Sequence, residues 1–494
     1  MKWWKKHNST KTNRKPVAVV HRSRARSKSI QARYDVAQTT TDNSRHWANA
    51  DSLSANAAAN PAVRRVIRNR ARYEVSNNSY ARGMVSTLAN DLVGTGPRLQ
   101  LLTKNDGANR YVERVFAQWA KETRLAAKLR TMRKARAQDG EAFAILSNNE
   151  NLRSPVKLDI RLVEADQVST PNMPVQINKS NAVDGIVFDQ FGNPSEYHVL
   201  KNHPGNVLSF NPFGEYDRLP ADVMIHWFQS DRPGQSRGIP DITPALPLFA
   251  QLRRFTLAVI AAAETAADFA AVIYTKNAPS EDSENDQSPD MMDVLELEKR
   301  MATVLPEGYE LNQIRAEQPA TTYAEFKKEI LNEIARCLNI PFNVAAGNSS
   351  GYNYASGRLD HQTYFKSITV DRSDMEIVIL DRIFRAWIDE AVLIQNFIPP
   401  GLRGAIATIV TPEHQWFWDG VPHVDPAKEA TAQGKRLTNR TTTLAAEFAA
   451  QGKDWEVELK QIAKEQKMMK SLGIITDQKP LTASVGHKED VINV

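Results

Sequence analysis

Few groups in this 494-residue chain have the type and spacing to do chemistry. Asp159 and Glu164 come nearest to the carboxylate pair of a metal-dependent nuclease. They lie on and just beyond an alternating segment and read as ordinary strand residues. Asp360-His361 has the types of a catalytic couple, yet it falls within a long helical pattern and reads as a polar patch. Cys337, the single cysteine, stands in Ala335-Arg336-Cys337-Leu338 and reads as core filler. The ten histidines are scattered, and none pairs with another His or Cys at metal-ligand spacing. Gly434-Lys435 and Gly452-Lys453 both lack the earlier glycine and the following Ser/Thr of a phosphate-binding loop. No GxGxxG follows a strand, and neither HExxH nor GxSxG occurs. No catalytic, cofactor-binding or metal-binding residue is therefore expected, and the residues favour a non-enzymatic assembly protein.

Composition and charge narrow the class further. The chain is 41% apolar and 24% charged, which excludes a wholly disordered chain, a fibre and a disulfide scaffold. One cysteine permits no internal disulfide and suits a reducing compartment. No apolar run follows the basic 1–15 stretch, so no secretory signal is expected. Residues 1–46 hold 12 Lys/Arg against Asp35 and Asp42, a charge of +10 within a total of +6. A basic arm on a mildly acidic body can bind phosphate backbone or simply stay solvated. Residues 257–274 approach the length of a membrane span, but Glu264 and Asp268 would sit mid-span, and alanine offsets little of their cost. A helix closely surrounded by other helices is expected there instead, with no membrane partner.

These residues are carried by a succession of elements. Helices are expected over 62–94, divided near Ser76-Asn77-Asn78-Ser79 and ended by Gly94-Thr95-Gly96-Pro97, and over 110–139. The period then changes to two, with strands at 143–146, 156–163, 185–188, 196–200 and 223–228 and a turn at Gly192-Asn193-Pro194. Short sequential strands joined by turns imply an antiparallel sheet. An alanine-rich helix follows over 242–271. The next loop carries Glu281, Asp282, Glu284, Asp286, Asp290 and Asp293 without a basic residue. A helix over 323–338 leads to a Gly/Asn/Ser/Tyr loop over 346–354. The long helical region 355–395 carries an apolar stripe of Ile377, Leu380, Phe384, Trp387 and Ala391. Asp425-Pro426 is a helix start. A last helix over 454–472 puts Trp455, Leu459, Ile462, Met469 and Leu472 on one face.

Several segments in order resemble the lambda-type portal proteins of tailed bacteriophages. RNRARYEVSNNSYARGMVSTLANDLVGTGPRLQ (68–100) is similar to the family's Arg-rich opening helix, Asn-containing break and V-G-x-G turn. GIVFDQFGNPSEYHV (185–199) looks like its hairpin. PADVMIHWFQSDRPGQSRGIPDITPAL (220–246) is the most specific block, with Arg232-Pro233-Gly234-Gln235 and Arg237-Gly238. Tyr354 and Arg358 fall in a segment similar to the family's N-Y-S-S-x-R, with Ala355-Ser356-Gly357 departing from it. Asp425-Pro426 and Gly452-Lys453-Asp454-Trp455 resemble its C-terminal signature. The blocks keep their order over 65–473.

The resemblance implies an α+β portal-type subunit: an antiparallel-strand-containing wing, long stem helices, a clip and a helical C-terminal crown, assembled as a ring. It divides the chain into a basic arm (1–60), wing (61–239), stem helix (240–275), clip with acidic loop (276–320) and second stem helix (321–345). A tunnel loop (346–354), a long helix returning to the wing (355–424), a crown (425–475) and a tail (476–494) complete it. The implied function is a dodecameric, homo-oligomeric ring at one capsid vertex, in the virion, through which double-stranded DNA is packaged and later ejected. The large terminase subunit would power it, so no cofactor is implied. Glu281, Asp282, Glu284 and Asp286 would meet terminase at the clip, and head-completion (adaptor) and major capsid or scaffold proteins would be further partners. Gly347, Asn348, Ser349, Ser350, Gly351 and Tyr352 would line the DNA channel. The basic arm would meet DNA or the capsid wall. The rival readings are a DNA-processing packaging enzyme, a terminase or nuclease, and another structural head protein.

Overall fold

A computed structural model describes residues 41, 44–170, 182–206, 215–268, 272–275, 309–312, 320–351, 353–400, 411–420 and 426–474. The chain divides into two units, Met1–Leu53 and Ser54–Val494. The second unit carries the architecture described below.

It opens with the short α1 (Ala55–Ala58), α2 (Pro61–Asn77) and α3 (Ser79–Val93). Asn60 caps α2, accepting from Ala62 and Val63 N–H ahead of Pro61 at the first position. Asn78 then ends α2 and caps α3, its side chain accepting from Tyr80 and Ala81 N–H. The expected break thus falls on this asparagine. After β1 (Arg98–Leu101) come α4 (Asp106–Glu122) and α5 (Leu125–Asp139), where the sequence pattern suggested one helix. Thr123 closes α4 by bonding the Trp119 carbonyl (2.9 Å), and Arg124 turns the chain in the left-handed region (φ 55°). Neither residue is a glycine or proline, so the break leaves no composition signal.

β2 (Glu141–Asn148), β3 (Leu158–Val163) and β8 (Met224–Phe228) form one antiparallel sheet in the order β3-β2-β8. Between them in sequence, β4 (Ala182–Val183), β5 (Ile186–Phe188), β6 (Pro194–Leu200) and β7 (Tyr216–Pro220) form a second antiparallel sheet in chain order. The alternation at 156–163 is real: Leu158 and Ile160 are buried while Arg161 is exposed.

α6 (Leu246–Asp268) and α7 (Ala320–Cys337) pack on one another, and β9 (Val272–Thr275) pairs with β10 (Tyr309–Asn312) between them in sequence. Thr243–Glu264 is the one helical stretch among the described residues with the length and hydropathy to cross a membrane; only 22% of its apolar window is buried. α8 (Phe342–Ala346) precedes the glycine-rich loop. α9 (Tyr354–Met375) and α10 (Asp381–Leu393) join through a π-helical turn, Glu376–Leu380. That turn corrects the expected stripe. Its wider winding shifts the helix phase, so Ile377 is 65% exposed, and Ile379, Leu380, Ile383, Phe384, Trp387 and Ala391 face the core.

The core is aromatic. The Phe116 ring stands edge-on to Phe384 (5.8 Å) and Trp387 (5.3 Å), with Trp119 and Trp416 beside it. β11 (His414–Phe417) pairs with β1, tying the late chain to this core. α11 (Pro426–Thr438), α12 (Leu444–Ala450) and α13 (Trp455–Ser471) complete the described chain. Asp454 caps α13 as its sequence suggests, but no residue of α13 is buried: Val457, Ile462 and Met468 stand exposed, as does Leu472 just after it.

Candidate functional site

The most specific sequence block, 220–246, carries an ion pair shut off from solvent, Arg237 with Glu141. Arg237 is 2% exposed. Its guanidinium grips the Glu141 carboxylate through Nε (2.8 Å) and a terminal nitrogen (2.7 Å). It also donates to the Val168 and Ala165 carbonyls (3.0 and 3.2 Å) and lies over the Phe143 ring. The bidentate fork is why arginine stands here: lysine lacks the planar donor pair. Burial alone would push the Glu141 carboxyl up. Arg237 beside it, with hydrogen bonds from His226 and Arg237, holds it well below the usual carboxylate range.

Gly238 follows because nothing larger fits: a Cβ there would overlap the Gly140 carbonyl oxygen. Gly140 itself is the left-handed cap of α5 (φ +91°), crowded against Gly238 and Ile239. The two glycines let the 231–240 segment lie directly on the start of β2. Gln235 braces the preceding turn, accepting from Asp231 N–H (2.9 Å) and donating to the Arg237 carbonyl (2.9 Å). Arg232, Pro233 and Gly234 form its exposed tip, with Gly234 at φ +79°. Asn56 of α1 clamps this tip through the Gly234 carbonyl (3.0 Å) and Ser236 N–H (2.9 Å).

Around Arg237 lies a network that the sequence reading did not assign. Arg64 pairs with Asp184, Arg68 with Asp166 (2.6 Å), and Arg72 with Asp139 (2.6 Å). On the far side of α5, Arg133 reaches Asp241 (2.8 Å) and Arg136 reaches Asp371 (3.1 Å). Arg64 and Arg68 recur every four residues with Arg72, a spacing that puts all three on one helix face. That spacing was the available signal; what hid it is that arginines at an expected core position read as a solvated face. Burial, with Arg237 nearby, lowers Arg64 to about 10.

The carboxylates weighed as nuclease candidates are taken up by this and similar pairing. Asp159 bonds Lys128 (2.5 Å) and Asn149 (2.8 Å). Glu164, Asp166 and His203 bring one ligand atom each within 4.8 Å of one another. Arg72 contacts Glu164 (3.3 Å), and Arg68 and Arg72 both hold Asp166, so arginines already supply the positive charge beside these carboxylates. His361 shares a hydrogen bond with Asn343 (3.1 Å). Cys337 is partly buried, its thiol donating to the Asp241 carbonyl (3.0 Å), and burial pushes it up to about 11.

The glycine-rich loop is the opposite of the keystone. Gly347 ends α8 in the left-handed region, and Asn348 accepts from Ser350 N–H (2.8 Å). Gly347, Asn348, Ser349, Ser350 and Gly351 are all exposed, and Asn353 caps α9 after them. Arg358 is exposed on the first turns of α9. Pro426 begins α11 as expected. Tyr352 and Asp425 lie outside the described residues, as do Glu281, Asp282, Glu284 and Asp286; Tyr354 is described only as the first residue of α9.

The C-terminal signature also serves as a joint. Asp419 accepts from Thr95 N–H (2.6 Å) and Oγ1 (2.9 Å), just after Gly94. A Cβ on Gly452 would strike the Trp418 carbonyl, and Gln100 donates to Asp454 (2.9 Å). Segments far apart in sequence are thus locked together at glycines and buried ion pairs.

The described body is antiparallel α+β, its buried charges bond one another, and apolar side chains stand exposed on its last helix. The chain belongs to the lambda family of phage portal proteins, which its residues 40–372 match. It is 24% identical over 435 residues to a probable portal protein of Halomonas phage phiHAP-1, covering 83% of this chain and 81% of that one. Among solved structures it is similar to a chain from the neck of an empty GTA particle computed with C6 symmetry. That likeness has 13% identity and a TM-score of 0.45, over 77% of this chain and 92% of the other. A chain from the neck of a native GTA particle computed with C12 symmetry gives 12% identity and a TM-score of 0.43, over 80% and 94%.

Proposed function

We propose that this protein is the portal of a tailed phage or prophage head: a closed ring of about twelve copies around a channel for double-stranded DNA. Membership of the portal family across residues 40–372 carries this reading. The geometry supports it in one respect above others. Beyond Leu252 none of the described side chains of α6 is buried, and Leu257 and Ile260 are 60% and 48% exposed. A helix so rich in alanine, bare on its apolar faces, needs close neighbours.

In this reading residues 61–239 are the wing, 240–275 and 321–345 the stem, and 276–320 the clip that meets the large terminase subunit and later the head-completion protein. Residues 346–354 are the tunnel loop, and 425–475 the crown. The ring sits at one vertex of the virion head and is assembled in the host cytoplasm, with capsid or scaffold proteins around it. The channel performs no chemistry of its own, and the motor's ATP hydrolysis belongs to terminase. Small polar groups at Asn348, Ser349 and Ser350 suit a loop that must let phosphate backbone pass without holding it.

Negative-stain imaging and native mass of the purified full chain test this reading. Closed rings with an open centre are expected. A monomer that persists across salt and concentration, or Mg²⁺-dependent DNA cleavage lost on changing Asp159 or Glu164, would overturn it.

A further inference from the structure

α2 and α6 run side by side and leave between them a groove of about 590 Å³. Ile67, Arg70 and Tyr73 line it from α2 in step with Leu246, Ala250 and Arg253 from α6. Arg253 bonds Glu74 (3.3 Å) and covers the Tyr73 ring (5.0 Å), closing one end. Arg70, among the residues that line the groove, remains exposed to solvent. The groove is therefore apolar within and positive at its edge.

α7 presents the converse surface. Its buried face is Leu331, Ile334 and Ala335. On the opposite face Phe326, Glu329 and Glu333 recur at helical spacing, all exposed, with Glu325 beside them. Lys328 is turned aside over the Phe342 ring (5.8 Å). Phe326 is 48% exposed although its other edge packs on Phe255 (4.8 Å). The result is one aromatic ridge flanked by acids.

The two surfaces lie at matching levels. α7 runs antiparallel to α6: the Tyr323 hydroxyl meets Thr256 (3.4 Å) at one end, and Cys337 meets the Asp241 carbonyl at the other. Counting along that pairing puts Phe326 level with Arg253, Glu329 level with Ala250, and Glu333 level with Leu246. In a ring every subunit is related to the next by rotation about one axis, so touching residues must share a height along it, and with α6 and α7 running along that axis, as the stem reading has it, position along the pair measures that height. A groove and a ridge on different helices of one hairpin-like unit, complementary in charge and equal in level, are what a head-to-tail interface requires.

We propose that the α2–α6 groove receives the outer face of α7 from the next copy of this chain, with Phe326 against Tyr73 and the Glu329 carboxylate on the Arg70 guanidinium. This inference rests on the ring reading above and adds the residues that close the ring.

The test uses the full chain and measures the concentration for half-assembly by native mass and sedimentation. Arg70→Glu and Glu329→Arg each place like charges together and should raise it about tenfold or more. The double variant R70E/E329R restores opposite charges and should return to within about threefold of the unmodified chain. Arg70→Gln and Glu329→Gln add no repulsion and should shift assembly by about threefold, which guards against misfolding of the reversed variants. If the unmodified chain forms rings while the single variants assemble equally well, or the double is no better than the worse single, this interface is wrong and the portal reading stands. If the unmodified chain forms no ring at any concentration, both fall.

Discussion

Arg237 and Glu141 are 96 residues apart in sequence and meet in a two-pronged ion pair shut off from water. One comes from a loop after the last strand of the three-stranded sheet, the other from the first residue of its central strand. Their union fixes where the 231–240 segment leaves the three-stranded sheet and therefore where α6 starts. The pair is a positional device first, since a buried ion pair by itself stabilises little over well-packed apolar residues.

Breaking the pair from one side is another matter. Arg237→Ala takes the donor from the Val168 and Ala165 carbonyls and leaves the Glu141 carboxylate with only His226, the Gly238 N–H and Arg68 beside it. The expected loss is about 3–5 kcal/mol in urea unfolding of the subunit. Arg237→Lys keeps the charge but not the fork and should recover only part of it. A loss below 1 kcal/mol for the alanine variant would show that the network closes over without Arg237.

The two glycines of the same loop should respond unequally. At Gly234 a Cβ meets open space, so alanine there carries only the strain of a left-handed residue, about 1–2 kcal/mol. At Gly238 the Cβ would collide with backbone, which cannot rotate away. Gly238→Ala should therefore cost more than Gly234→Ala, and the comparison is read from their thermal midpoints under one set of conditions. Equal midpoints would mean that the loop and β2 do not lie in direct backbone contact.

Acidification should weaken the fold in two steps. His226 stacks between Phe143 (4.2 Å) and Phe228 (4.5 Å), bonds Glu141 (3.0 Å), and has Arg237 and Arg64 among the charges near it. Burial lowers its pKa despite the help of Glu141, so the folded chain keeps it neutral where the unfolded chain protonates it. Stability is thus full above the ordinary value of 6.5 and declines as pH falls below it. Glu141 is depressed, so its contribution is present above the ordinary 4.5 and lost as pH falls through its folded value. Asp139, raised by burial against the pull of Arg72, opposes this in part. His226→Gln should flatten the upper step and leave the lower one, in midpoints measured from about pH 7.5 down to about pH 2. An unchanged profile would place the upper step elsewhere.

Most elements were legible in the sequence because one signal sufficed for each. Period-two alternation marked β3, Asn78 marked the α2–α3 break, and Asp454 marked the start of α13. The failures arose where two local rules competed. The 110–139 stretch keeps its helical pattern through Thr123 and Arg124, and only tertiary packing turns the chain there. Ile377 lies in phase with Leu380 and Phe384 on an ideal helix, but the π turn carries it to the outside. The keystone was visible only in part. The resemblance singled out Arg237 and Gly238, while their partners Glu141, Asp184 and Gly140 sit in segments with no motif, joined to them only by the fold.

The exposed loop after α8 gives a direct test of the proposed tunnel-loop assignment. Gly347 through Gly351 carry no charge, and the Asn348 side-chain oxygen accepts from the Ser350 N–H. Phosphate affinity grows with the number of cations it meets, and the salt slope grows with it by about 0.9 per neutralised phosphate. Ser349→Lys puts one new cation on every copy, so a ring of about twelve would gain a band of charge at one level. Rings should still form, because the Ser349 side chain is exposed in the subunit. DNA binding by these rings should tighten at low salt with a steeper salt dependence than the unmodified ring, and packaging in a terminase-driven assay should slow. Ser349→Asp should do neither. If both substitutions leave DNA binding and packaging unchanged, the loop does not face the channel, and the small polar residues there serve only to join α8 to α9.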